Sequence, residues 1–142
     1  LIISAMFFSG AMQGAVLLKR ITDPIIKNTK NTIKLISSTA GTCFFFNLTT
    51  SDQYLSIVVP GRMFSDAYKE KGLASENLSR TLEDTGTVTS VLIPWNTCGA
   101  TQSAILGVST LTYMPFCFFN IISPIMTIAF AICNIKIKKL KI

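Results

Sequence analysis

The stretch TGTVTSVLIPWNTCGATQSAILGVSTLTYMPFCFFNIISPIMTIAFAICNI, residues 85–135, contains no Asp, Glu, Lys, Arg or His. An uncharged apolar run of about 18 residues is enough to cross a bilayer, so this one predicts two passes and a turn. It is interrupted near its start by Pro94-Trp95-Asn96-Thr97-Cys98-Gly99, a polar break at membrane depth. Backbone opened there needs protein or an aqueous cavity around it. Residues 87–108 therefore read as a broken helix and residues 113–135 as a further helix, with Pro124 expected to kink it.

The whole composition points the same way. The chain has 142 residues, 49% of them hydrophobic and 14% charged, and a mean hydropathy of +0.50. That is too apolar for an average soluble domain and predicts an all-α membrane protein, multi-pass in the cell membrane with the lipid bilayer as its partner. The net charge of +6 comes from basic residues in the short segments that flank the apolar runs, which fits anchoring at a membrane surface and argues against nucleic acid. Cys43, Cys98, Cys117 and Cys133 lie inside apolar stretches without CxxC spacing, and no His accompanies them. They read as buried thiols, with neither a zinc site nor a disulfide framework. With no His to serve a Ser or Cys nucleophile and no Gly-rich phosphate loop, no enzyme activity and no cofactor are expected.

Upstream, residues 1–18 form an uncharged helix that stops at Lys19-Arg20. The chain begins inside this run, without a basic leader, and is expected to be the C-terminal part of something larger. Asp23-Pro24 supplies a helix start for residues 23–36, where Ile25, Thr29, Ile33 and Ile36 share one face and Lys27, Lys30 and Lys34 another, as in an interfacial amphipathic helix. Residues 35–60 are apolar at both ends and polar in the middle, through Asn47-Leu48-Thr49-Thr50-Ser51-Asp52-Gln53. Residues 61–86 read as a polar loop with short helices, the first ended by Gly72, and residues 136–142 as a basic tail that stops the last helix.

Charge placement decides between two readings of residues 35–60. Positive residues favour the cytoplasmic side, and Lys19, Arg20, Lys27, Lys30 and Lys34 fall on the same side as Lys136, Lys138, Lys139 and Lys141 only if that segment enters and returns as a re-entrant hairpin. Each arm then spans roughly 13 to 18 Å, which carries the tip at residues 47–53 to the middle of the bilayer. A broken helix crossing fully is the alternative.

Two polar breaks can thus oppose one another, as in secondary transporters, where interrupted helices expose carbonyls and amides near the midplane. The first offers Asn47, Thr49, Thr50, Ser51 and Asp52, the second Asn96 and Thr97. Neutral oxygens with a single carboxylate suit a small hard cation, so sodium is expected at Asp52, Asn96 and Thr97. Proton and sodium can compete for Asp52, unless that residue simply caps the helix that follows. Glu83 and Asp84 place two carboxylates at the entrance of the uncharged run.

Pro60-Gly61-Arg62-Met63-Phe64, Leu78-Ser79-Arg80-Thr81-Leu82-Glu83-Asp84-Thr85-Gly86-Thr87 and Ile93-Pro94-Trp95-Asn96-Thr97-Cys98-Gly99-Ala100 resemble the C-terminal part of the NhaC family of sodium/proton antiporters. Thr50-Ser51-Asp52-Gln53-Tyr54 and Leu106-Gly107-Val108-Ser109-Thr110 also fit, so the resemblance extends over most of residues 47–124. It implies a whole protein that exchanges sodium for protons, with malate and lactate exchange in some relatives, and a fold of inverted repeats with re-entrant hairpins and broken helices. One half of such a transporter needs the missing N-terminal half to complete its site, and the fragment alone is expected to be inactive. A homodimer is left open. Two alternatives stand beside antiport: a sodium-coupled exchanger of an organic anion such as malate or lactate, and a structural membrane subunit without a transport path.

Overall fold

A computed structural model describes residues 31–50, 52–135 and 137–140. The expected helix over residues 1–18 and most of the amphipathic helix over 23–36 lie outside the described residues. What is described is helical, with no strand. Helix α1 is Thr32–Thr49 and α2 Gln53–Glu70; α3, Ser75–Leu82, runs through a π-helical turn, Glu83–Thr87, into α4, Val88–Ser90. After an irregular segment come α5, Thr97–Leu106, α6, Thr110–Tyr113, a 3-10 turn at Met114–Phe116, and α7, Phe118–Ile132.

Helix α1 buries one stripe, Leu35, Ile36, Thr39, Ala40, Cys43 and Asn47. These positions recur every three or four residues, the spacing that keeps side chains on one helical face. The stripe packs against Val59, Met63, Phe64, Ala67 and Tyr68 of α2 and Leu78 and Leu82 of α3 in a single core. The same stripe begins apolar and ends on an amide. That is how a core-forming helix also delivers Asn47 to the interior.

Helix α2 does not stop at Pro60. Pro60 lies inside it and the helix continues to Glu70, so the short helix expected before Gly72 is the second half of α2 rather than a separate element. The ring is buried, and its missing N–H deprives only the Ser56 carbonyl of its helical donor. Gly72, at φ 65°, then turns the chain in the left-handed conformation that glycine adopts without cost.

The basic tail is built onto this corner. Leu73 and Lys139 form an antiparallel bridge, Leu140 N–H donates to Gly72 O at 2.8 Å, and Ala74 N–H donates to Lys138 O at 3.1 Å. Asn77 clamps the backbone of Lys138, its Nδ2 donating to Lys138 O at 2.6 Å and its Oδ1 accepting from Lys138 N–H at 3.1 Å. The exposed Lys138–Glu76 ion pair adds little beside these bonds. Asn77→Ala is expected to cost about 2 kcal/mol, since it removes both bonds from a buried amide, and to make the tail sensitive to limited proteolysis while the helices stay folded.

No single described helix is long and apolar enough to cross a membrane; the pair Thr110–Phe116 and Phe118–Ile132 meets that test together, bent by 60°. The bend falls at Cys117, six residues before Ser123 and seven before Pro124, which sits inside α7.

Candidate functional site

Two interruptions meet in the interior. The first separates α1 from α2. Past Asn47 the threonines turn back on their own helix: Thr49 Oγ1 donates to Phe45 O at 2.9 Å and Thr50 Oγ1 to Phe46 O at 2.7 Å. The last helical bond is Thr50 N–H to Phe46 O at 2.9 Å, and α1 ends where Asp52 takes an extended backbone. Asp52 restarts the chain as the N-cap of α2, accepting from Tyr54 N–H at 2.9 Å, and it is 9% exposed.

The second interruption separates α4 from α5. Ser90 ends the helix, and Asn96 caps α5 by accepting from Cys98 N–H at 3.1 Å. Gly99, in the first turn of α5, lies so close to the Ile93 carbonyl that a Cβ there would overlap it. Tyr113 OH donates to Val91 O at 2.6 Å and Thr110 Oγ1 to Gly99 O at 3.4 Å, so the turn is held from both ends.

The contact between the interruptions is made by two fully buried asparagines. Asn96 Nδ2 donates to Asn47 Oδ1 at 3.3 Å and lies 3.5 Å from Asn47 O. Asn47 Nδ2 in turn donates to Gly86 O at 2.6 Å and to Thr89 Oγ1 at 3.0 Å. Around this pair, Trp95 Nε1 donates to Leu48 O at 2.8 Å, and the Cys98 thiol donates to Gln53 Oε1 at 2.6 Å. The result is a small, uncharged, oxygen-rich junction. Its amide hydrogens and carbonyl oxygens are ordered by helix ends rather than by flexible loops.

The other predicted residues are placed as follows. Thr49 and Thr97 are exposed, Thr50 is half-buried, and Ser51 lies outside the described residues. Glu83 is exposed, whereas Asp84 turns toward α7, where it accepts from Ser123 Oγ at 3.3 Å and from Thr127 Oγ1, with Arg80 Nε at 3.7 Å. Sequence reasoning passed over Gln53 and Cys98 as a cross-break pair. It also passed over Thr81, Thr85 and Thr89, whose i+4 spacing was a usable signal: each hydroxyl donates to the carbonyl four residues back, at 2.8, 2.5 and 2.6 Å. Bonded this way, polar residues line a buried helix without stranding a donor.

Paired helix interruptions that present amides and carbonyls to one another are a device of secondary transporters. The chain belongs to the Na+/H+ antiporter family, whose pattern it matches over residues 1–135. It is 37% identical over 139 residues to the Na(+)/H(+) antiporter NhaC of Alkalihalophilus pseudofirmus, covering 98% of this chain and 30% of that protein. It is 43% identical over 105 residues to the arginine/ornithine antiporter ArcD of Halobacterium salinarum, covering 69% of this chain and 22% of the relative. With the malate-2H(+)/Na(+)-lactate antiporter of Bacillus subtilis it shares 30% identity over 122 residues, 86% of this chain and 26% of the relative. The chain thus spans under a third of the length of these relatives. No solved structure matches it.

Proposed function

We propose that the whole protein is a multi-pass exchanger of sodium for protons in the cell membrane, and that this chain supplies one of the two halves of its ion site. The observation that carries the reading is the buried Asn47–Asn96 contact between two helix interruptions. In this reading α1 and α2 are the arms of a re-entrant hairpin, each 18 residues or about 27 Å long and so longer than the arms expected from the sequence, and the apolar side chains exposed on α5 to α7, such as Ile105, Phe116 and Phe119, face lipid or the other half. Those three are 71–75% exposed, more apolar surface than a helix in water leaves open.

The chemistry follows from which oxygens are neutral and which is charged. Asn47 Oδ1 now takes a hydrogen from Asn96; a sodium ion displaces that donor and takes Asn47 Oδ1 together with Asn96 Oδ1, whose second lone pair is open beside its bond to Cys98 N–H, and Asp52 at the hairpin tip supplies the negative charge. Thr50 and Thr97 lie at the same two interruptions and extend the oxygen set when the other half closes over it. Sodium is thereby held by the ends of helices, which open and close as units.

The test is exchange by the full-length protein in liposomes, with sodium-driven proton movement read by an entrapped pH dye. Asp52→Asn and Asn96→Ala are each expected to raise the half-saturating sodium concentration about tenfold or more, the scale of one charge-assisted contact. Unchanged sodium dependence in both would sink the reading. A second reading, exchange of an organic ion, is favoured by the relatives named for arginine and ornithine and for malate and lactate. It is supported if transport requires one of those molecules and proceeds no faster with sodium alone.

A further inference from the structure

Asp84 has a role in the exchange distinct from that of Asp52, and the geometry points to it as the group that carries the proton. This inference rests on the sodium reading of the Asn47–Asn96 junction. Asp84 and Gly86 belong to the same five-residue π-turn, Glu83–Thr87. On one side, the Gly86 carbonyl accepts from Asn47 Nδ2 at 2.6 Å. On the other, the Asp84 carboxylate takes hydrogens from Ser123 and Thr127 of α7. One turn therefore touches both the sodium junction and a carboxylate held by a different helix.

Three features fit a proton carrier. Asp84 lines an open cavity of about 460 Å³ with Arg80, Phe119, Ile122, Ser123 and Met126; with the other half of the transporter, rather than lipid, over this groove it has room for a chain of waters to reach the carboxylate. Its hydroxyl partners can exchange roles. When a proton joins one carboxylate oxygen, Thr127 turns its own hydrogen to the Ser123 carbonyl four residues back and accepts the new O–H, so no polar group is stranded. The π-turn itself is an insertion in a helix, a form found at functional sites, and its Thr87 hydroxyl is buried with no hydrogen-bond partner among the described residues. A rearranged turn has a donor left to satisfy.

Protonation adds a hydrogen to Asp84 and cancels its charge, which releases Arg80, now stacked 5.2 Å over the Phe130 ring, from its ionic partner. Deprotonation restores the pair. A shift of the turn in either direction moves the Gly86 carbonyl away from or toward Asn47. Proton and sodium then exclude one another through the backbone rather than by sharing one carboxylate. The groups that face the turn leave Asp84 as its half-buried acid: α1 contributes the Cys43 thiol, against Thr85; α2 contributes Tyr68, whose hydroxyl is 3.5 Å from Thr39, and the exposed Arg62; α3 contributes Arg80; the turn itself contributes the exposed Glu83; α4 and α7 contribute no Asp, Glu, Lys, Arg or Tyr.

The experiment uses the full-length protein in liposomes and reads two modes, proton-driven sodium uptake and exchange of labelled sodium for unlabelled sodium at equal pH. Asp84→Asn is expected to lower the proton-driven mode at least tenfold and leave sodium-for-sodium exchange within twofold. If both modes persist, or both are lost while the protein folds, the inference is overturned. Ser123→Ala with Thr127→Val keeps the carboxylate but removes its donors, which favours the protonated form; the pH profile should move up by about half to one unit, and an unmoved profile also overturns the inference. Failure of the sodium reading is seen separately, as wild-type protein that exchanges no labelled sodium, and it takes this inference with it.

Discussion

Asn47→Leu weakens sodium-dependent exchange by the full-length protein at least about tenfold and lowers its stability by about 2 to 5 kcal/mol. The two side chains have the same number and branching of heavy atoms, so the change approximates the shape and deletes the hydrogen bonding. Asn47 is 0% exposed and serves three partners. Without it the Gly86 carbonyl loses the donor that holds it at 2.6 Å, Thr89 loses one at 3.0 Å, and the Asn96 amide keeps only its 3.5 Å contact with the backbone carbonyl of residue 47. Each buried group left unpaired costs roughly 1 to 3 kcal/mol, and Thr89 is spared the full penalty because it still donates to Thr85 O. Exchange in liposomes and thermal unfolding in detergent check the two halves of the expectation. A variant with normal transport and normal melting would remove Asn47 from the site and from the core at once.

Gly99→Val has a comparable effect by a steric route. The first atom of any side chain at this position would occupy the space of the Ile93 carbonyl, and backbone cannot yield as a flexible side chain does. That carbonyl also accepts from Asn96 N–H at 3.1 Å, while Gly99 O is held by Thr110 and Tyr113. Moving any of them turns Asn96 away from Asn47. A loss of about 3 kcal/mol or more is expected, with transport gone before folding is. Gly41→Ala is the matched comparison: nothing lies within 4 Å of its added Cβ, and the helix should gain up to about 1 kcal/mol. Equal behaviour of the two variants would show that the close approach at Gly99 is not what shapes the turn.

Residue types carry some of this organisation openly. Polar Asn and Thr inside uncharged apolar sequence, and Pro94 followed by a capping Asn and a glycine, are marks of interrupted helices that need no structure to weigh. The meeting of Asn47 with Asn96 is less legible, because it depends on α1 burying a single stripe that ends on residue 47. Pro60 misled for a plain reason: the rule that proline ends helices counts the lost hydrogen bond and ignores burial, and here the ring is inside the core with Val59 and Met63 beside it. The direction of Asp84 was hidden more deeply. Regular 3.6-residue periodicity does not survive a π-turn, and the one extra residue between Glu83 and Thr87 alters which face each carboxylate occupies. Nor does sequence pattern reveal that Asn77 binds a peptide 61 residues away.

The shared junction is tested most directly by a double-mutant cycle on Asn47 and Asn96, measuring half-saturating sodium for exchange by the full-length wild type, Asn47→Ala, Asn96→Ala and the double variant. Residues that hold one ion in common are not independent, so the double variant should be no weaker than the poorer single one, a coupling of about 1 to 3 kcal/mol. Strict additivity, each substitution weakening sodium by its own factor and the double variant by their product, would contradict a single site built from both helix interruptions.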